Sequence, residues 1–141
     1  MSARFMWAGT SSKETASPTR EKGALVLVVS TDPSVVEGTR LGFPSNVEVL
    51  QADDGRDALA SLVIRKPDVV VMDIHTGSAG GFALARDMAA DPRLAMVPVV
   101  MLLQRPQDAW LSSQAGAAVT HVKPVPATRV VDDVLSLLPQ L

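Results

Sequence analysis

Five short segments of the chain are rich in β-branched and aliphatic residues, and polar segments separate them. They lie at residues 25–29, 47–50, 68–72, 98–103 and 119–122. Short apolar runs of this kind are typical of strands that are covered on both faces, as in parallel sheets. The pattern therefore predicts five parallel strands.

Helix signals occur in the segments that follow the predicted strands. Asp32-Pro33 supplies an N-cap acceptor and a first-turn proline, which predicts a helix that ends near Gly42. Further helices are predicted after Asp53-Asp54-Gly55, after the glycines at 77–81, after Arg105-Pro106 and up to Pro139. The apolar positions expected to face the sheet are Ala58, Leu59, Leu62 and Val63 in the second helix, and Ala127, Val130, Val131, Val134, Leu135 and Leu138 in the last.

Strands that alternate with helices imply right-handed βαβ crossovers and an α/β fold. We expect a five-stranded, doubly wound parallel sheet with five helices, formed by residues 23–141. Residues 1–22 are polar and small without a continuous apolar stretch, and we interpret them as a flexible leader. In such a fold the functional site lies at the carboxyl ends of the strands.

Composition excludes several classes of function. The net charge of −2 and the absence of basic runs argue against direct nucleic-acid binding. The chain has no cysteine, which removes disulfides, thiolate nucleophiles and cysteine-ligated metals. Its apolar runs are too short to span a bilayer. We expect a soluble, cytoplasmic protein that does not contact membranes.

Two charged residues follow apolar strands where the site is expected. Asp73 ends the VVVMD run, and Lys123 follows the fifth strand and precedes Pro124. A carboxylate at the end of a buried strand needs solvation, a partner or a reactive role. A capping aspartate and a solvated lysine are the structural alternatives, but the topology brings these two strand ends together and predicts that the residues pair.

Two segments of the sequence resemble the receiver domain of two-component response regulators, known as the CheY-like family. VVVMDIHTGSAGGF is similar to the segment in which the phosphoacceptor aspartate ends the third strand, and HVKPV is similar to the Lys-Pro segment. The resemblance covers about residues 23–141. It implies that Asp73 accepts a phosphoryl group, that Lys123 contacts that group, and that the Lys123-Pro124 peptide is often cis.

The first departure from the family concerns the metal. The family's first strand ends in two acidic residues that hold a divalent cation, whereas this chain has Ser30 and Thr31 there. Asp32 matches the next position, where we expect an N-cap, although a one-residue slip would offer it to a metal. The remaining ligands are Asp73 and at most Asp32 and the backbone of His75. We therefore expect Mg²⁺ to bind weakly and phosphotransfer to be slow.

The second departure concerns the response to phosphorylation. Leu103 stands where the family has a Ser or Thr that bonds the phosphoryl group, and Thr120 stands where an aromatic residue changes rotamer. Both members of that relay are replaced. The resemblance is therefore to an atypical receiver, or pseudo-receiver.

Three functions remain open at this point. The first is a working receiver that a histidine kinase or a small phosphodonor phosphorylates on Asp73. The second is a phosphorylation-independent docking module that uses its last two helices and fifth strand, a surface that could also form a dimer. The third, a small flavodoxin-like enzyme or nucleotide binder, lacks motif support, so we expect no enzymatic activity.

Two further expectations concern partners. Because the sequence ends at Leu141, just after the last helix, we expect a separate protein to provide the output. Trp110 on the short fourth helix would be a candidate interface residue if it were exposed. Packing in the core is the expected role.

Overall fold

The computed structural model describes residues 23–74 and 80–139, and in that part of the chain strands and helices alternate. The strands are β1 (Ala24–Val29), β2 (Val47–Ala52), β3 (Val69–Asp73), β4 (Val99–Leu103) and β5 (Val119–Val122). The helices are α1 (Pro33–Gly42), α2 (Gly55–Ile64), α3 (Gly80–Ala90), α4 (Ala109–Gln114, preceded by a 3₁₀ turn at Pro106–Asp108) and α5 (Ala127–Leu137).

The five strands form one parallel sheet in the order β2-β1-β3-β4-β5. The order of the strands along the sheet changes direction between β1 and β3. These two strands are neighbours, and Val26 lies opposite Val69. The predicted α/β class, strand number and doubly wound architecture are confirmed. Crevices for ligands form outside the carboxyl ends of strands at such a reversal.

Alternate residues of each central strand face opposite layers of helices. Leu27, Val70 and Met101 pack with α2, α3 and α4, while Val28, Val71 and Val100 pack with α1 and α5. Since both faces are covered, β1, β3 and β4 are buried along their whole length. This layering fixes the strand ends that carry the candidate site.

Several sequence-based details are corrected. The second strand ends at Ala52, two residues later than predicted, whereas Asp73 ends the third strand as the VVVMD run indicated. In α2 only Ala58 and Leu62 are buried, whereas Leu59 and Val63 face outwards. Leu135 of α5 is likewise partly exposed. The apolar stripes are narrower than predicted because each short helix contacts the sheet along one line.

Trp110 does not pack in the core, contrary to the expectation from sequence. Its side chain is 67% exposed. Helix α4 is short and turns Ser112 and Ala115 towards the sheet, which directs Trp110 to the opposite side. The leader at 1–22 lies outside the described residues.

No helix in the described ranges is long and apolar enough to cross a membrane.

Candidate functional site

Asp73 lies at the carboxyl end of β3 with its side chain entirely shielded from solvent. Its Oδ2 accepts a hydrogen bond of 2.7 Å from the Ser30 hydroxyl. The Lys123 ammonium lies 3.2 Å from Oδ1 and 3.1 Å from Oδ2. A buried carboxylate is costly unless donors and an opposite charge compensate it, and these two residues supply both.

Lys123 follows β5, and its backbone N–H donates to the Leu103 carbonyl at 2.7 Å. This bond extends the β4–β5 ladder by one residue and directs the side chain towards Asp73. Lys123-Pro124 is a cis peptide, as the resemblance implied. Burial opposes the charged form of Lys123, but hydrogen bonds and charge from Asp32 and Asp73 outweigh it and raise the lysine's pKa.

Asp32 has two roles, of which sequence analysis predicted one. Its Oδ1 accepts a 3.0 Å bond from the Ser34 backbone N–H and so caps α1, as expected. Its Oδ2 lies 2.8 Å from the Lys123 ammonium, a contact the sequence did not indicate. The hydrogen bond from Lys123, assisted by Ser34, lowers the pKa of Asp32 to about 2.

Ser30 connects the two aspartates. Its hydroxyl donates to Asp73 and also accepts a 3.0 Å bond from the backbone N–H of Asp32. Ser30 is itself 1% exposed, whereas neighbouring Thr31 is on the surface. The Ser30 hydroxyl is therefore already engaged in hydrogen bonds within the protein.

Sequence reasoning missed Gln51, near the end of β2. Its side-chain amide donates to the Ser30 carbonyl at 2.7 Å and to Asp53 Oδ1 at 2.8 Å. A polar residue near the end of a strand adjacent to β1 was the available signal. Asp54, the other acid at this turn, caps α2 through the backbone N–H of Asp57.

Leu103 and Thr120 lie at the positions where the resemblance implies the phosphorylation relay. Leu103 is fully buried in the apolar layer beneath α2, α3 and α4. The Thr120 hydroxyl is 2.6 Å from the hydroxyl of Ser112 on α4, and Ser112 is fully buried. This bond ties α4 to β5 without an aromatic side chain.

His121 of β5 pairs through its Nε2 with the Asp133 carboxylate of α5. The adjacent strand residues Thr120 and His121 thus reach opposite helices, α4 and α5. His75, for which the sequence allowed a backbone contact to a metal, lies outside the described residues.

A divalent cation does not fit the donor set that the described residues provide. No group of three or more potential acidic or histidine ligands occurs among them. The two carboxylates closest to the predicted position, Asp32 and Asp73, already share the Lys123 ammonium. A cation there would face the repulsion of that ammonium and would have to displace existing hydrogen bonds.

Two cavities of about 560 Å³ each flank the site. One lies on the α1 and α5 side and is bordered by Asp32, Lys123 and apolar residues such as Val35 and Val130. The other borders Asp73 and is lined by Asp53, Asp54 and residues of α2 and α3. The two cavities therefore lie beside the strand ends on opposite faces of the sheet.

Comparison with known proteins gives a family match: residues 26–135 match the response regulator receiver domain. Protein PilH of Pseudomonas aeruginosa is 31% identical over 106 residues, which cover 72% of this chain and 87% of PilH. The chain spans about half the length of some transcriptional regulators that it also matches.

Solved structures agree with the observed fold. A putative response regulator from Chloroflexus aurantiacus gives a TM-score of 0.74 at 24% identity, over 84% of this chain and 99% of that one. The Mn²⁺-bound form of response regulator Rcp1 gives a TM-score of 0.69 at 18% identity, over 83% of this chain and 99% of that one. At these identities the likeness concerns the fold.

Proposed function

Since the chain belongs to the response regulator receiver family of two-component signalling, we propose that Asp73 is its phosphoacceptor. The observation that carries this proposal is the contact of 3.1 Å between the Lys123 ammonium and the buried carboxylate of Asp73. A carboxylate oxygen of Asp73 attacks phosphorus, and the bond to the donor's leaving group breaks with its electron pair. Lys123 reduces the repulsion between the two anions.

Phosphotransfer to this site is slow. An incoming phosphoryl group must displace or share Lys123, which Asp32 also holds at 2.8 Å. Mg²⁺ binds weakly because the carboxylates of Asp32 and Asp73 already share the Lys123 ammonium. The protein has no catalytic turnover of its own beyond accepting and losing the phosphoryl group.

The partners are a histidine kinase or a small phosphodonor, followed by a separate output protein. The surface for the output protein is formed by α4, β5 and α5, where Trp110, Leu111, Val122 and Leu135 are partly or largely exposed. Aromatic and aliphatic groups of this kind are typical of protein interfaces. The same surface could also pair two copies of the chain. The setting is cytoplasmic, where such kinases deliver phosphoryl groups.

An intact-mass experiment tests the acceptor. The purified protein is incubated with acetyl phosphate and magnesium, beside an Asp73→Asn variant that keeps the shape of the side chain. The proposal predicts a single phosphoryl adduct that forms slowly and is absent from the variant. No adduct in the wild type after prolonged incubation, or an equal adduct in the variant, would reject Asp73 as the acceptor.

A second candidate is a docking module that works without phosphorylation, and two observations favour it. Leu103 has no hydroxyl to bond a phosphoryl group, and the Ser112–Thr120 bond of 2.6 Å holds α4 against β5. If this candidate is correct, beryllofluoride leaves the indole resonance of Trp110 unchanged in an NMR spectrum. A shift of that resonance that depends on Asp73 would favour the working receiver instead.

A further inference from the structure

The Lys123 ammonium lies between two carboxylates, and its shortest contact is not with Asp73. Nζ is 2.8 Å from Asp32 Oδ2 and 3.1 Å from Asp73 Oδ2. We propose that Asp32 is a positioning residue: together with Asp73 it fixes the ammonium at the site, where the ammonium supplies the positive charge in place of a divalent cation. This inference rests on the proposed function and explains how the negative charge of the two carboxylates is partly compensated.

The negative charge of Asp32 interacts with the Lys123 ammonium, whereas capping of α1 does not require that charge. Oδ1 caps α1 by accepting from the backbone and hydroxyl of Ser34, while Oδ2 is directed to the ammonium. A cap needs one oxygen and no charge, because asparagine caps helices as well as aspartate does. The lowered pKa of Asp32 agrees with a carboxylate that stays ionised beside the lysine.

The three side chains are held from three different strand ends. The backbone N–H of Asp32 donates to Ser30 at the end of β1, and the same hydroxyl donates to Asp73 at the end of β3. Lys123 is held by its backbone bond to Leu103 of β4. These bonds fix the backbone of Lys123 and the positions of the two carboxylates, and the ammonium bridges both acids.

The balance of charge explains why a divalent cation is disfavoured. Two carboxylates and one ammonium give a net charge of −1, with the ammonium in contact with both acids. Removing the ammonium would leave two uncompensated carboxylates at one site. Those are the hard oxygen ligands that Mg²⁺ prefers, so Lys123 suppresses an affinity that Asp32 and Asp73 would otherwise have.

Calorimetric titration with Mg²⁺ at pH 7 tests the inference. Lys123→Gln is expected to strengthen Mg²⁺ binding about tenfold or more, because a repelling charge is removed from direct contact. The double variant Asp32→Asn/Lys123→Gln is expected to lose that gain. Arg65→Gln, which removes the same charge from a surface pair with Glu48, is the matched control and should leave the affinity unchanged.

Two results would overturn the inference. One is an unchanged affinity for Mg²⁺ in Lys123→Gln, and the other is an increased affinity that persists in full in Asp32→Asn/Lys123→Gln. If the glutamine variant does not fold, as judged by circular dichroism, the wild type provides the test. Sub-millimolar Mn²⁺ should cause no selective broadening of the amide resonances of Ser30, Asp32 and Asp73, and selective broadening would contradict the proposal. Neither titration requires phosphorylation, so failure of the acceptor experiment alone would reject only the proposed function.

Discussion

At the scale of single residues, the site depends on how a few charged and hydroxyl groups divide their bonds. Asp32 caps a helix with one oxygen and holds Lys123 with the other. Ser30 accepts from one aspartate's backbone and donates to the other's carboxylate. Each group thus stabilises a neighbouring one, and changing any of them is expected to affect the whole site.

Asp32→Asn separates the charge of this residue from its capping role. We expect a loss of about 1 kcal/mol in the free energy of unfolding at pH 7, because the cap remains while a partly exposed ion pair is lost. The folded-state pKa of about 2 lies below the ordinary 3.8, so the contribution is complete above pH 4 and disappears as the pH falls towards 2. Urea denaturation at several pH values measures this difference.

The free energies of unfolding of wild type and Asp32→Asn should therefore approach each other as the pH falls towards 2. Asp91→Asn, which removes an ion pair with Arg93, is the comparison and should have a smaller effect at pH 7, because the Arg93 side chain is 82% exposed. A difference between wild type and Asp32→Asn that is the same at pH 7 and pH 3 would contradict the assigned charge interaction.

The residues of the site were only partly predictable from sequence. Asp73 and Lys123 could be identified because each follows an apolar strand, and the topology brings those strand ends together. The Asp32–Lys123 pair and the amide of Gln51 could not, because they depend on side-chain rotamers that only the assembled strand ends determine. The role of Asp73 in phosphotransfer and the roles of Asp32 and Lys123 in excluding a cation stay predictions.

At the scale of elements, α1 and α5 pack at the close distance that glycine allows. A Cβ atom on Gly38 would lie 2.7 Å from Cβ of Ala127, and one on Gly42 would lie 2.8 Å from Val131. Such distances are too short for carbon atoms, so one of the helices would have to move. The close packing holds α5, and with it the region after β5, against the layer that contains Asp32.

Gly38→Ala is expected to destabilise the protein by about 1–3 kcal/mol through overpacking. An exposed helical glycine would instead gain about 1 kcal/mol from the same change. Urea denaturation distinguishes the two signs. The double variant Gly38→Ala/Ala127→Gly should recover most of the loss, and a stabilised Gly38→Ala protein would show that the helices are not in close contact there.

The hydroxyl pair between α4 and β5 allows a double-mutant cycle. Ser112→Ala or Thr120→Val alone leaves the other hydroxyl without its partner, at an expected cost of about 1–2 kcal/mol each. The double variant should cost less than the sum, with a coupling of about 1 kcal/mol. Additive losses in thermal or urea unfolding would mean that the two hydroxyls do not stabilise each other.

The order of the strands and helices was more predictable than the exposure of the side chains on them. The alternation of apolar runs with capped, helix-spaced segments predicted every strand and helix described, with boundary errors of one or two residues. The outward positions of Leu59, Val63 and Trp110 were not predicted, because helical spacing gives a stripe but not its width or the neighbour it meets.

At the scale of the whole molecule, one sheet covered on both faces brings Asp73, Lys123 and Asp32 into contact at the same edge. The fold follows the receiver family, and the core is formed by the predicted strands together with part of the predicted apolar helix positions. The departures are concentrated at the strand ends, where Ser30 and Leu103 are fully buried in place of groups that the resemblance implies. The receiver fold is retained, and we propose that the chemistry that accelerates and reports phosphorylation is reduced.

We propose that the acceptor Asp73 is retained, whereas Ser30 and Thr31 replace the two acids that support it in the family. The direct measurement is the initial rate at which a phosphoryl adduct forms on Asp73, with acetyl phosphate and excess magnesium, in the wild type and in Ser30→Asp/Thr31→Asp. We expect slow labelling of the wild type and faster labelling of the variant, because a metal can then offset the anionic repulsion. Neither protein should form an adduct when it also carries Asp73→Asn. A wild type that labels as fast as the variant, or no Asp73-dependent adduct in either protein, would contradict this proposal.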